Sequence, residues 1–211
     1  MKIYAHRGAS HDFPEMTMVA YENAVKQGAD GFECDLRLTK DGVAVLWHDA
    51  DLKRRANNVA VVHESTYTQL AAIYPQIVTL DQFIDFGITE KKSLLLETKH
   101  PVPSRTEIEN HVVQKLHKEA KRIEKAGIDI TVMSFSWFAV ERVKQLDKSI
   151  ALTYLIRETT PRLSVRYTSA HSIGPGIAQL FPGVGDGAAA AGALRAPLQV
   201  AVAAGIGGGA F

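Results

Sequence analysis

The sequence predicts an α/β fold, a (β/α)8 barrel, and three observations carry that expectation. Apolar segments of strand period alternate with segments of helical period along the chain, the pattern of crossover units that join parallel strands. Neither G-x-G-x-x-G nor G-x-x-x-x-G-K-[ST] occurs, so nothing favours a nucleotide-binding open sheet. Polar residues gather at the C-terminal ends of several strand candidates, as His6, Asp35, His48, Glu97 and Ser134. In a barrel those ends line one mouth, where the chemistry sits.

The elements follow in order. Lys2–Ala5 reads as a short strand. Thr17 caps a helix that runs through Gln27 and closes at Gly28, with Val19, Ala20, Asn23 and Ala24 near one face. Gly31–Leu38 reads as a strand, Lys40-Asp41-Gly42 as a tight turn and Val43–His48 as the next strand. Residues 50–65 are polar and irregular, and Thr66–Tyr74 and Thr79–Phe86 read as short helices. Ser93–Thr98 is a compact apolar strand, Glu107–Lys125 a long helix closed by Gly127, and Ile130–Phe135 a strand. Trp137–Leu146 is a helix and Ile150–Ile156 a strand, so six strand candidates precede residue 157, with Ser164–Ala170 as a partial seventh. There is no internal repeat.

Composition narrows the class. A chain of 211 residues fits one domain, and 24 basic against 23 acidic residues argue against an electrostatic nucleic-acid binder. One cysteine, Cys34, excludes an internal disulfide framework. His6 and Arg7 stand where a secretory signal would need its apolar core, and no apolar run is long and charge-free enough for a spanning helix. A cytoplasmic location with no membrane span is the expectation. Residues 182–211 differ from the rest: they hold ten Ala and eight Gly but only two charged residues, Asp186 and Arg195.

Glu33 and Asp35 stand two apart in a strand and so share a face, while Phe32, Cys34 and Leu36 take the apolar one. Two carboxylates on one buried face repel and lose hydration, and they need a compensating cation. Taken alone, an E-x-D pair is commonly just an exposed strand face. Glu97 and Lys99 repeat the spacing, which alone is a common strand-end ion pair. With Glu33 and Asp35, Glu97 offers carboxylate oxygens for a hard divalent cation, and Cys34 is better read as core than as a ligand. His6 and His48 each close a strand, and two imidazoles at one mouth suit acid–base work on either side of a scissile bond. His11, His63, His100, His111, His117 and His171 read as structural, His100 least clearly because it follows Lys99. Arg7 offers paired donors to a phosphate. Cation, carboxylates, two His, Arg and Lys together point to metal-assisted cleavage of a phosphate ester.

These residues fall in an ordered string: His6-Arg7-Gly8, Pro14-Glu15-x-Thr17, Gly28-Ala29-Asp30-x-x-Glu33-x-Asp35, Thr39-x-Asp41-Gly42-x-x-Val45-x-x-His48-Asp49, Leu96-Glu97-x-Lys99 and Ser134-Phe135. The string resembles the glycerophosphodiester phosphodiesterase family. The resemblance implies a (β/α)8 barrel that hydrolyses small-molecule glycerophosphodiesters to glycerol 3-phosphate and an alcohol. It implies Glu33, Asp35 and Glu97 as ligands of Mg²⁺ or Ca²⁺, His6 and His48 as the acid–base pair, Arg7 and Lys99 on the phosphate, and Glu15 in support. In the mechanism proposed for the family, a glycerol hydroxyl attacks phosphorus and water then opens the cyclic phosphate.

Two departures from the family pattern stand out. Met16 stands where the family usually has Asn, and the strands that would carry Trp-Thr-Val-Asn and end near Thr-Asp are absent. A barrel typically takes about 250 residues. The expectation is therefore a family barrel over residues 1–181, incomplete at its last two βα units, followed by an Ala/Gly-rich stretch at 182–211 from a shifted frame or a truncated gene. An inactive remnant that at most binds phosphodiesters or partners is the second reading. A phospholipase-type barrel acting on lipids is the third, with no apolar docking stretch behind it.

Overall fold

The Gly-containing turn after the first strand sets the geometry of the whole mouth. In this computed structural model, which describes residues 2–157, 168, 170–175, 190–191 and 200–203, β1 spans Lys2–His6. Arg7 and Gly8 follow with φ of 59° and 79°. A Cβ on Gly8 would lie 2.8 Å from the Ala20 carbonyl carbon, so the chain can turn this tightly against the next helix only with glycine there. That helix, α1 (Met18–Lys26), is capped as its sequence requires, the Thr17 hydroxyl accepting the Ala20 N–H. It returns the chain to β2 (Gly31–Leu38), which pairs parallel with β1.

The segment expected as a third barrel strand differs. Strand β3 (Ala44–Leu46) is shorter than the expected Val43–His48, and it pairs antiparallel with β2, off the main path of the sheet. The reason lies in the turn. A parallel crossover needs about a dozen residues, whereas Thr39 and Gly42 close a turn in which the Thr39 hydroxyl donates to Asp41 at 2.6 Å and accepts the Val43 N–H at 2.9 Å. The hairpin serves to carry the chain from Leu46 up to His48 at the mouth. Helix α2 (Lys53–Ala56) and a 3-10 turn at Val62–Glu64 follow in the stretch where the sequence reads as irregular, and α3 (Tyr67–Ile73) then falls within the helix expected at Thr66–Tyr74. Helix α4 (Leu80–Glu90) begins at the expected Thr79, which forms a capping box with Gln82.

Regular alternation then resumes through β4 (Ser93–Thr98), α5 (Glu107–Ala126), β5 (Ile130–Ser134), α6 (Trp137–Leu146), β6 (Ala151–Ile156) and β7 (Ser172–Pro175). Of the expected element at Ser164–Ala170, residues 164–167 and 169 lie outside the described residues. Within 182–211, the described residues form β8 (Ala190–Ala191) and β9 (Val200–Ala203). Strand β9 pairs parallel with β1, and β8 pairs antiparallel with β9. The sheet runs β7-β6-β5-β4-β2-β1-β9-β8, and among the described residues no pairing joins its two ends. Among the described residues the architecture is a parallel-strand barrel left incomplete.

Alternation along these strands sorts two layers. Phe32, Cys34, Leu36, Leu94, Leu96 and Val132 point outward into the core shared with the helices, as expected for Cys34. Tyr4, Leu95 and Met133 point inward and form a small cluster of their own. Gly31 makes room for it, since a Cβ there would lie 2.4 Å from the Tyr4 ring. The polar residues of the mouth stand one or two alternations further along the same faces: Tyr4 leads to His6, Gly31 to Glu33 and then Asp35, and Leu95 to Glu97. Among the described residues no helix is long and apolar enough to cross a membrane.

Candidate active site

Strand register assembles the site. His6 is the β-partner of Glu33, and Asp35 is the partner of Glu97, so three adjacent strands present four ionisable groups side by side. Oxygens of Glu33, Asp35 and Glu97 lie within 4.8 Å of one another, all three residues buried. Such a group is intolerable without positive charge. Arg7 Nε lies 2.8 Å from Asp35 Oδ2, Lys99 Nζ lies 3.1 Å from Asp35 Oδ1, and Lys99 also donates to Glu97 Oε1 at 2.7 Å. The Arg7 backbone N–H donates to Glu33 Oε2 at 3.1 Å, and His6 Nε2 stands 3.8 Å from that oxygen. Tyr21, wholly buried, fixes β2 from behind by donating its hydroxyl to the Glu33 carbonyl at 3.0 Å.

The carboxyls respond differently to one environment. Burial would raise Asp35, but Arg7 and Lys99 hold it below the usual carboxylate range. Burial, and then the Asp35 charge, lift Glu33 well above that range and push Glu97 up to about 7. Burial, with Arg7 adding to it, pushes His6 down to about 3. Lys99 and Arg7 rise despite burial because Asp35 and its neighbours favour their charged forms.

The donor set fits a hard divalent cation. Both Asp35 oxygens and Arg7 Nε are buried without a hydrogen bond, because the short contacts between Asp35 and its cations lack hydrogen-bond angles. Buried carboxylate oxygens left in that state are what an oxygen-seeking ion takes up. Glu15 stands outside the cluster: its carboxylate bridges Arg7 Nη1, at 3.4 Å, and Arg54.

His48, brought to the same mouth by the hairpin, lies within electrostatic reach of Asp35, Arg7 and Lys99 and lines one pocket with Lys99. Its Nδ1 is 2.8 Å from Asp49 Oδ1, and Arg54 Nε donates to Asp49 Oδ2 at 2.6 Å. Burial lowers its pKa, while Asp35 and Asp49 pull the other way. With Asp49 accepting an Nδ1 proton, Nε2 is the nitrogen left for chemistry. Every residue expected at the site is therefore brought to one mouth. The remaining described histidines are occupied elsewhere or peripheral: His100 Nε2 meets buried Glu109 at 2.8 Å, and His117 meets Asp147 at 2.6 Å. Ser134 donates to the Thr98 carbonyl at 2.8 Å, a structural bond between β5 and β4.

Sequence reasoning missed the wall beside His48. Arg37, two residues beyond Asp35 on the same face of β2, donates twice to the His48 carbonyl, at 3.0 and 2.8 Å. With Asp49, Asp51, Lys53, Arg54 and Arg157 it lines an open pocket of about 640 Å³ that reaches His48 and Lys99. The signal for Arg37 was the same two-residue spacing that flags Glu33 and Asp35. Arg54 and Arg157 carry none, because Arg54 stands on the short helix α2 and Arg157 just after β6, and no local period links either to the site.

Comparison with known proteins follows these residues. A family model described as the Glycerophosphoryl diester phosphodiesterase family matches residues 6–184. A probable glycerophosphodiester phosphodiesterase 1 from Mycobacterium tuberculosis is 32% identical, over 90% of this chain and 78% of its own length. A glycerophosphodiester phosphodiesterase from Bacillus subtilis is 32% identical over 72% of this chain and 58% of its own. The crystal structure of a glycerophosphodiester phosphodiesterase from Thermotoga maritima superimposes with a TM-score of 0.68 at 25% identity, covering 82% of this chain and 72% of that one. A phosphodiesterase from Oleispira antarctica, solved in complex with the product sn-glycerol-3-phosphate, shares the fold with a TM-score of 0.68 at 22% identity, over 83% of this chain and 74% of its own.

Proposed function

The chain belongs to the glycerophosphoryl diester phosphodiesterase family, and from that premise we propose that it hydrolyses glycerophosphodiesters to glycerol 3-phosphate and an alcohol with a divalent cation, Mg²⁺ or Ca²⁺, held by Glu33, Asp35 and Glu97. The observation that carries this reading is the strand register that sets His6 beside Glu33 and Asp35 beside Glu97.

When bound, the cation supplies positive charge to the phosphate oxygens as charge builds on them. The chain's own residues do the rest. Arg7 and Lys99, both buried and both against Asp35, hold the non-bridging oxygens and orient the diester. His6, pushed down to about 3 by burial, stays neutral at pH 7 and takes the proton of the attacking glycerol hydroxyl. As the oxygen–phosphorus bond forms, the bond to the alcohol breaks. His48, whose protonated form Asp49 supports, gives the departing oxygen its proton. Water then opens the cyclic phosphate with the proton roles reversed. Glu15 and Arg54 keep Arg7 and Asp49 in place.

The test is release of glycerol 3-phosphate from glycerophosphoglycerol and glycerophosphocholine, with Mg²⁺, with Ca²⁺ and with a chelator. Turnover that needs the cation and is lost in Glu33→Ala supports the reading. Metal-independent turnover overturns the metal part. A cooperatively folded protein with no turnover at all would leave a phosphodiester-binding remnant instead.

A further inference from the structure

Glu109 is a wholly buried carboxylate that none of the steps above uses, standing in the first turn of α5. A Glu three residues past the helix cap ordinarily turns back to the cap N–H. Glu109 does not. Its Oε1 meets His100 Nε2 at 2.8 Å, and its Oε2 is buried without a hydrogen bond. An apolar pair of similar volume would stabilise such a place at least as well, and local rules broken in this way concentrate at functional sites.

His100 directly follows Lys99. The chain leaves β4 at Thr98, and alternation turns Glu97 and Lys99 toward the mouth but Thr98 and His100 toward the helices. The Ser134 hydroxyl holds the Thr98 carbonyl at 2.8 Å, and the Lys99 N–H reaches the Leu36 carbonyl at a long 3.3 Å. Beyond this point the backbone bonds are local turns, Arg105 N–H on the Val102 carbonyl and Glu107 N–H on the Ser104 carbonyl, both at 3.1 Å. The bond from Glu109 therefore ties the segment after Lys99 to the rigid helix behind it. That matters because a lysine stem has four rotatable bonds, so its head stays placed only where its backbone does.

We propose, resting on the phosphodiesterase reading above, that Glu109 and His100 are positioning residues for Lys99. Their bond fixes the chain just past β4, so that the Lys99 ammonium stays against Asp35 and Glu97 and meets the phosphate there. Neither residue touches the diester, and both act through the lysine.

The experiment measures kcat/KM on glycerophosphoglycerol, with Mg²⁺ and with Ca²⁺, for three variants of the full chain. His100→Gln keeps an N–H donor at about the reach of Nε2, and His100→Asn carries the same group one methylene short. His100→Leu combined with Glu109→Leu removes both partners without stranding a buried carboxylate. The Gln variant keeps most of the parent's kcat/KM, whereas the Asn and paired Leu variants lose about 10–100-fold, the usual cost of removing a supporting partner. The paired Leu variant melts no lower than the parent, and if it fails to fold, the Asn and Gln variants decide between themselves. A second readout is the Kd of glycerol 3-phosphate by calorimetry: the paired substitution weakens it in the parent and leaves it unchanged in a Lys99→Met background. Unchanged kcat/KM in the Asn and paired Leu variants overturns the inference and leaves the phosphodiesterase reading standing. An equal loss of affinity in the Lys99→Met background overturns it too, because the pair then acts through another group. Absence of turnover by the parent overturns both.

Discussion

Arg7 and Asp35 meet across the β1–β2 pair with Nε 2.8 Å from Oδ2, and both side chains are out of solvent. Asp35 is wholly buried, so its charge depends on that neighbour and on Lys99. Removing one partner of a buried pair leaves the other uncompensated, which typically costs about 3–5 kcal/mol. Arg7→Ala is therefore expected to lose about 3 kcal/mol or more in urea unfolding without cation, and Asp35→Asn in the same background recovers part of it. A loss below about 1 kcal/mol would show that Lys99 alone carries Asp35.

Glu97 and Glu33 predict the opposite pH trend to Asp35. A carboxyl with a raised folded pKa favours folding fully below its unfolded value, and that contribution is lost as pH climbs through the folded value. For Glu97 the window runs from its ordinary 4.5 to about 7. Metal-free protein is thus expected to lose stability from this group between those pH values, and Glu97→Gln removes the loss, so its melting temperature matches or exceeds the parent's at pH 8. Asp35, held low, contributes above its unfolded value and loses that contribution only in acid. Adding Ca²⁺ or Mg²⁺ should raise the parent's melting temperature more at pH 8 than at pH 5, because protons compete for the same oxygens. The rise should be smaller in Glu97→Gln. A cation effect equal at both pH values would place the ion elsewhere.

The two histidines should separate from the carboxylates in the same assays. His6→Ala and His48→Ala are each expected to lower kcat by about 10²–10⁴-fold, and His48→Ala should keep the cation-induced rise in melting temperature. Asp49→Asn removes the carboxylate that favours protonated His48, so the alkaline limb of the pH–rate profile should move to lower pH. An unmoved limb would assign the acid role to another group.

Much of this was legible because it follows short-range rules. The two-residue alternation of β2 is enough to put Glu33 and Asp35 on one face and Cys34 on the other. Thr17, Thr66, Thr79 and Gly127 mark helix ends by capping chemistry that needs no tertiary information. The reading of β3 as a barrel strand gave weight to its apolar run and too little to the turn before it, which is too short for a crossover. The cationic wall was hidden for a different reason: Arg54 comes from α2 and Arg157 from the segment after β6, and no local period connects them.

Met16 is where local and tertiary rules conflict. Its backbone sits at φ 56°, a region that favours Gly and Asn, yet its side chain is buried in the main core. Its Sδ takes the Asp35 N–H at 3.5 Å and its own N–H donates to the Arg7 carbonyl at 2.9 Å, so it pins the turn that carries Arg7 to the strand that carries Asp35. Met16→Asn would lose about 2 kcal/mol of apolar burial. It would regain about 1 kcal/mol of backbone preference and about 1 kcal/mol from a better acceptor for the Asp35 N–H. The expected net change is within about 1 kcal/mol of zero. Met16→Val keeps an apolar side chain but puts a β-branched residue at positive φ and removes the acceptor, so about 2 kcal/mol or more should be lost. Urea unfolding of both variants decides the matter: if valine is tolerated and asparagine is not, packing rather than backbone conformation governs this position.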